Sequence, residues 1–186
     1  MKYIILAIVT MLLLFSCQQK TDLQKECNCK EIFIKSLEDV TDAKNIFSIQ
    51  LPKNWKTNLY TDNTQTSIYA ADTVKQLTES ILLDVNFIKN KITFNDMFKL
   101  KIEQESLSKK LIQKKAKEIT FLNKPSYYTI AIGKKGSFKY QVLQIFTKVN
   151  NQNSLLTTAQ IYGDSFVENR ICKAITLLEK IKIQQK

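Results

Sequence analysis

Hydrophobic and polar positions alternate most cleanly at two places along the chain. Ile81, Leu83, Val85 and Phe87 interleave with Leu82, Asp84, Asn86 and Ile88, and Phe47, Ile49 and Leu51 interleave with Ser48 and Gln50. A period of two puts one set of side chains on one face of a strand. Pro52 has no N–H to give a ladder and ends the earlier strand. Trp55, the only tryptophan, follows closely and is placed to fold back over the end of that apolar face.

Further elements follow in order. Lys56 to Tyr60 returns from Trp55, Thr61-Asp62-Asn63 is a turn cluster, and Thr66 to Ala71 reads as a strand before a polar connection over Asp72 to Glu79. Thr93-Phe94-Asn95-Asp96 has the form of a capping box with Thr93 as the cap, and Phe94, Met97, Phe98 and Ile102 then share a helical face that ends near Ser106 to Ser108. Lys109, Lys110, Lys114, Lys115 and Lys117 mark a solvated edge strand or loop; contact with anionic headgroups is the functional alternative. Glu118 to Leu122 closes a strand at the Asn123-Lys124-Pro125 turn. Tyr127 to Ile132, Ser137 to Val149 and Ser154 to Tyr162 form a meander, turning at Gly133-Lys134-Lys135-Gly136 and Asn150 to Asn153. Apolar residues on both faces of its middle strand call for cover on both sides. Gly163-Asp164 breaks the sheet, and Ser165-Phe166-Val167-Glu168 reads as a second capping box. The helix after it carries a stripe of Val167, Ile171, Ala174, Ile175 and Leu178, bordered by Cys172.

The Phe-x-Ile-x-Leu-Pro-x-x-Trp run from Phe47 to Trp55, followed by strands, a helix, a long meander and a terminal helix, resembles the PsbP-like family, whose fold is shared by Mog and DcrB-like proteins. The resemblance spans about 46–183. It implies an α/β fold, an α/β/α sandwich with a mainly antiparallel sheet, and an accessory or assembly role. Metal binding in that family relies on histidine and carboxylate ligands, and this chain has no histidine.

The N-terminus has a different character. Met1-Lys2-Tyr3 is a short basic start, and Ile4 to Phe15 is apolar apart from Thr10. The run is too short for a spanning helix, which needs about 20 residues, and suits the core of a secretory signal. Leu14-Phe15-Ser16-Cys17 looks like a bacterial lipobox: the Cys17 thiol takes a diacylglycerol, cleavage follows Ser16, and the new amine is acylated. An ordinary cleaved signal with an unmodified Cys17 is the alternative. The expected organisation is a lipoprotein signal peptide over 1–16, a lipidated tether with a short N-terminal element over 17–44, and the PsbP-like domain over 45–186. Within the tether, 18–30 is polar and aperiodic, and Glu31 to Val40 is read as a short helix, with a strand as the alternative. The expected location is the cell envelope, as an outer-membrane lipoprotein that faces the periplasm or the cell surface. Gln18 is not the aspartate that often retains lipoproteins in the inner membrane.

With Cys17 lipidated, Cys27, Cys29 and Cys172 remain. An oxidising compartment favours a disulfide, and a bridge between Cys27 and Cys29 fits disulfide geometry poorly. A bond from Cys172 to Cys27 or Cys29 is therefore expected; the alternative leaves Cys172 a small buried thiol.

The chain has 186 residues, 44% of them hydrophobic, and a formal net charge of +11. That suits one domain plus a leader. Nearly all of the positive charge is lysine, since Arg170 is the single arginine. Without arginine forks interleaved with aromatics, a nucleic-acid partner is not expected. The absence of histidine removes the usual general base and metal ligand, and three glycines cannot build a phosphate loop. Ser106-Leu107-Ser108-Lys109 has a chance serine–lysine spacing, Glu103 and Glu105 point apart on a helix, and Asp84 is expected to be solvated or paired with lysine. No catalytic residue, metal or cofactor is expected. Two functions follow: a lipid-anchored envelope accessory protein that docks a partner complex through its sheet, or an envelope carrier of a small apolar or anionic ligand held between sheet and helix.

Overall fold

The computed structural model describes residues 20–184. Its centre is a seven-stranded sheet formed by β3 (Lys56–Thr61), β4 (Gln65–Ala71), β5 (Ile81–Ile88), β6 (Leu111–Phe121), β7 (Lys124–Lys135), β8 (Phe138–Lys148) and β9 (Ser154–Tyr162), in the order β3-β4-β5-β9-β8-β7-β6. A three-stranded sheet places β2 (Phe47–Pro52) between β1 (Leu37–Thr41) and the short β10 (Lys182–Ile183). Every strand pairing is antiparallel. Among the described residues three α-helices accompany them: α1 (Asp22–Glu26), α2 (Asp96–Ser108) and α3 (Val167–Leu178).

Alternation decides which face each strand buries. Ile81, Leu83, Val85 and Phe87 of β5 join Leu143, Ile145, Leu155, Ala159 and Ile161 in the main core, which α3 and β2 cover. Ile171, Ala174, Ile175 and Leu178 are buried on α3, as its stripe demands, and Phe47, Ile49 and Leu51 are buried on β2. On the opposite face α2 packs Phe98 and Ile102 against Tyr127 and Phe146, with the Phe98 and Phe146 rings edge-on at 5.3 Å. The result is the α/β/α sandwich, with the small sheet beside α3.

Local chemistry corrects several boundaries. Asn95, not Thr93, caps α2: its side chain accepts the Phe98 N–H at 2.9 Å, and asparagine is among the strongest caps. The inward stripe of α2 runs Phe98, Ile102, Ser106, so Met97 points outward at 73% exposure, while the helix ends at Ser108, within the expected range. At α3 the cap is Phe166, left-handed at φ 50° and without a side-chain bond, so the Ser165 capping box does not form. Gly133 lies inside β7, where a Cβ would come within 2.4 Å of the Lys110 carbonyl; the β7–β8 turn falls at Gly136, φ 62°. Leu122 and Asn123, both at positive φ, make the β6–β7 turn.

The segment before residue 45 belongs to the same packed body. Leu23 of α1 is fully buried in the main core, so the polar run over 18–30 is not all tether: Thr21 caps a helix within it. Leu37 to Thr41 pairs with β2 as a strand, in place of the expected helix. Asp42 holds that corner. Its carboxylate accepts the N–H groups of Lys44, Ile46 and Phe47 and the hydroxyl of Thr66 on β4.

Trp55 is 5% exposed in the main core, and Lys173 Nζ lies 5.6 Å from its ring centre. Trp55→Ala is expected to destabilise the domain by about 3–5 kcal/mol, read as a lower denaturant midpoint. An unchanged midpoint would show that the ring is not a core element.

Candidate interaction surface

The two faces of the seven-stranded sheet are covered unequally. α3 and the small sheet lie on one face, while α2 covers the other only near β6, β7 and β8. Over β3, β4 and β5 that second face has no covering helix, although Ser67 and Asn86 are buried there and Leu156 of β9 packs with the α2 cluster. Its outward positions follow from register: Tyr60 opposes Ser67, Tyr69 opposes Asp84, and Asp84 opposes Thr158. Tyr60 and Tyr69 are 52% and 47% exposed.

A connected polar cluster sits among them. The Ser67 hydroxyl donates to Asn86 Oδ1 at 2.5 Å, and Asn86 Nδ2 donates to Asp84 Oδ1 at 2.8 Å. Burial raises the Asp84 pKa against the lowering influence of hydrogen bonds from Asn86 and Tyr69. The expectation of a solvated or lysine-paired Asp84 is thus corrected: its partners are neutral donors, because lysines are absent from the neighbouring positions of β4 and β9. Burial also raises the Tyr69 pKa, and the neighbouring carboxylate adds to it. The arrangement presents two exposed aromatic rings, Tyr60 and Tyr69, beside the half-buried Asp84 on a rigid support in which Ser67 and Asn86 are buried, which suits contact with a protein surface. Among the described residues no group of three or more histidine, cysteine, aspartate or glutamate side chains could hold a metal ion.

A second feature lies at the end of the sandwich where the N-terminal segment enters. A groove of about 1260 Å³ is lined by Phe87, Phe121, Val149 and Ile181, with Lys89 and Lys124 beside them. Thr21 and Asp22 line it too. Glu179, after α3, accepts hydrogen bonds from the Thr21 hydroxyl and from Gln24 Nε2, and burial raises its pKa.

Cys17 lies outside the described residues. Cys29 and Cys172 are joined by a disulfide with Cα atoms 5.4 Å apart, both residues buried, across a sequence separation of 143. In the chain-entropy model a loop of that length corresponds to about 5 kcal/mol. Cys27, half-buried, keeps its thiol, whose pKa burial pushes up. The lysines of 109–117 fall on β6, an outer strand; Lys117 pairs with Glu26 and Lys115 Nζ donates to the Glu26 carbonyl at 3.1 Å. Ser106 donates to the Ile102 carbonyl from a buried position, so no serine–lysine pair forms there. Glu103 and Glu105 are both exposed, and Glu105 faces Lys101 at 3.9 Å. Arg170 is buried and donates to the carbonyls of Ser80 and Tyr162, at 3.1 and 2.8 Å, so the single arginine serves the fold. The uncovered half-face and the buried Arg170 were not legible in the linear pattern, because both depend on where α2 and α3 land.

No family model and no curated protein matches the chain. Its fold is that of PsbP-like proteins. It is similar to the cyanobacterial PsbP (CyanoP) of Synechocystis, at 12% identity and TM-score 0.56, covering 84% of this chain and 97% of that one. A mutant of the protein Mog1 aligns at 7% identity and TM-score 0.50, over 79% and 95% of the two chains. A Bacteroides thetaiotaomicron protein aligns at 8% identity and TM-score 0.51 over 81% of this chain, which spans only 50% of that one. At these identities the likeness is one of fold.

Asp84 gives a pH signature. Its pKa is raised on folding, so the native state holds the proton more tightly than the unfolded chain does. That stabilising contribution is complete below the unfolded carboxylate pKa and is lost as pH rises through the folded value. Asp84→Asn is therefore expected to be more stable than the parent at neutral pH, with the difference vanishing in acid. Denaturant midpoints across the pH range check this; a variant less stable at neutral pH than in acid, relative to the parent, would contradict it.

Proposed function

We propose that this chain is a lipid-anchored accessory protein of the cell envelope that works without catalysis and docks a partner complex through the uncovered half of its large sheet. The observation that carries the reading is that half-face: Tyr60 and Tyr69 are exposed on rigid strands without a covering helix, beside the hydrogen-bonded cluster of Asp84 with the buried Asn86 and Ser67. The PsbP-like fold, met in CyanoP and Mog1, supports an accessory role. The anchor in this reading is Cys17, exposed by cleavage of 1–16 and tethered to an outer membrane, with the protein on its periplasmic or outer side. Among the described residues no helix is long and apolar enough to cross a membrane.

Crosslinked capture from intact cells tests the docking face. Gln160 lies two residues beyond Thr158 on β9, opposite Leu82 and on the same face. Tyr69→Ala combined with Gln160→Lys is expected to weaken capture of a stoichiometric partner by at least about tenfold, as loss of a central aromatic anchor does. Replacing Lys110, Lys114 and Lys115 with glutamine is expected to leave it unchanged, because exposed charges act weakly. Loss of capture in the lysine variant alone would place the contact on β6 instead. For the anchor, cells fed a palmitate analogue should label the parent and not Cys17→Ala; equal labelling and equal membrane retention would contradict it.

The groove favours a second reading, an envelope carrier of a small apolar or anionic ligand. Its volume and its mixed wall of Phe87, Phe121, Lys89 and Lys124 suit such a molecule. Native mass spectrometry of protein purified from the envelope separates the two, since a carrier retains a stoichiometric small molecule.

A further inference from the structure

The seven-stranded sheet has two outer strands, and they are treated differently. β6 exposes Lys114, Lys115 and Lys117, has a register shift between Gln113 and Lys115, and is braced by Glu26 of α1. Lysines, bulges and a covering element are the devices that stop another strand from adding. β3 has no bulge and, among the described residues, no α-helix bracing it, and its one lysine, Lys56, stands at its very start. Between Lys56 and Asp62 it reads Thr57-Asn58-Leu59-Tyr60-Thr61, without charge and in unbroken register with β4. Leu59 and Tyr60 are 49% and 52% exposed.

The ladder shows which backbone groups face the open edge. Asp62 N–H donates to the Gln65 carbonyl at 3.0 Å, at the start of the β3–β4 pairing. In an antiparallel pair, residues that exchange hydrogen bonds alternate with residues that do not. Tyr60, Asn58 and Lys56 therefore bond to β4, and Thr57, Leu59 and Thr61 turn their N–H and C=O groups outward.

We propose that β3 is the pairing edge for a second copy of this chain, the two β3 strands running antiparallel about a two-fold axis at Leu59. In that register Leu59 meets Leu59 and Thr57 meets Thr61 of the second copy, all outward-facing residues, so the two edges close about six hydrogen bonds. Lys56 then stands opposite Asp62 of the second copy at both ends, and Asn58 opposite Tyr60. Opposite charges across a strand pair are favourable. Centring the axis on Asn58 would put Lys56 against Tyr60, and centring it on Tyr60 would put Asn58 against Asp62. Neither matches the charges. Hydrogen bonds from the Thr64 N–H, the Thr64 hydroxyl and the Gln65 N–H hold the Asp62 carboxyl below its usual pKa, so it stays ionised for that contact. The self-complementary charge pattern points to a second copy and not to a foreign strand, and a C₂ pairing of this kind is closed. It would join the two uncovered half-faces into one surface.

Paired Leu59 Cα atoms would lie about 5.5 Å apart, within reach of a disulfide. The test uses the full chain in intact cells, carrying Cys27→Ser to remove the remaining thiol. Leu59→Cys is expected to give a covalent dimer on mild oxidation. Thr57→Cys alone should stay monomeric, but co-expressed Thr57→Cys and Thr61→Cys chains should crosslink. Leu59→Pro removes an outward N–H that β4 does not use. It should abolish co-capture of two differently tagged copies while retaining the parent circular dichroism. The proposal is overturned if neither Leu59→Cys nor the Thr57/Thr61 pair crosslinks between copies. It is overturned equally if Thr57→Cys crosslinks to itself as readily as Leu59→Cys, or if Leu59→Cys joins a different protein.

Discussion

The structure depends on how the two faces of one sheet are sealed. β5, β9 and β8 carry large apolar side chains toward α3 and β2, where Leu83, Leu143, Ile145, Leu155 and Ile175 are almost fully buried. That seal is reinforced from both chain ends. Leu23 of α1 enters the same core, Cys29 is bonded to Cys172 on α3, and Asp42 ties the β1–β2 corner to β4. On the other face the seal is partial. α2 presents a narrow stripe, Phe98, Ile102 and Ser106, which is enough to cover β7 and β8 but leaves Tyr69 and Tyr60 uncovered.

The strands were the most legible part of the chain, because alternation is a direct record of which face a strand buries. Phe47 to Leu51 and Ile81 to Phe87 are buried as their pattern demands, and the β6 lysines mark an outer strand. Helix entries were less legible: Thr93 and Asn95 are both competent caps, and only the path of the chain into Phe98 selects Asn95. α1 was missed because a single apolar residue, Leu23, makes its contact with the core. Residues 31–40 fit either period; pairing with β2 made Leu37–Thr41 a strand, and 31–36 are neither helix nor strand. Gly133 looked like a turn residue but is small for the approach of the Lys110 carbonyl, a contact remote from any local signal.

The proposed function rests on coverage and not on reactive groups. The single arginine is spent inside, bonding two carbonyls, and the lysines that dominate the charge are dispersed over the surface or paired with Glu26 and Glu118. The half-face is different in kind, because its polar groups are mutually bonded and held on strands. Such a surface can meet a partner at low ordering cost, since its side chains are already in place.

The most direct test scans a photo-crosslinking amino acid over both sides of the molecule in intact cells, placing it at Tyr69 and Gln160 on the uncovered half-face and at Met97 and Glu103 on the outside of α2. The account predicts adducts to the same partner from Tyr69 and Gln160 and none from Met97 or Glu103. Adducts from the α2 positions, with none from the half-face, would contradict it.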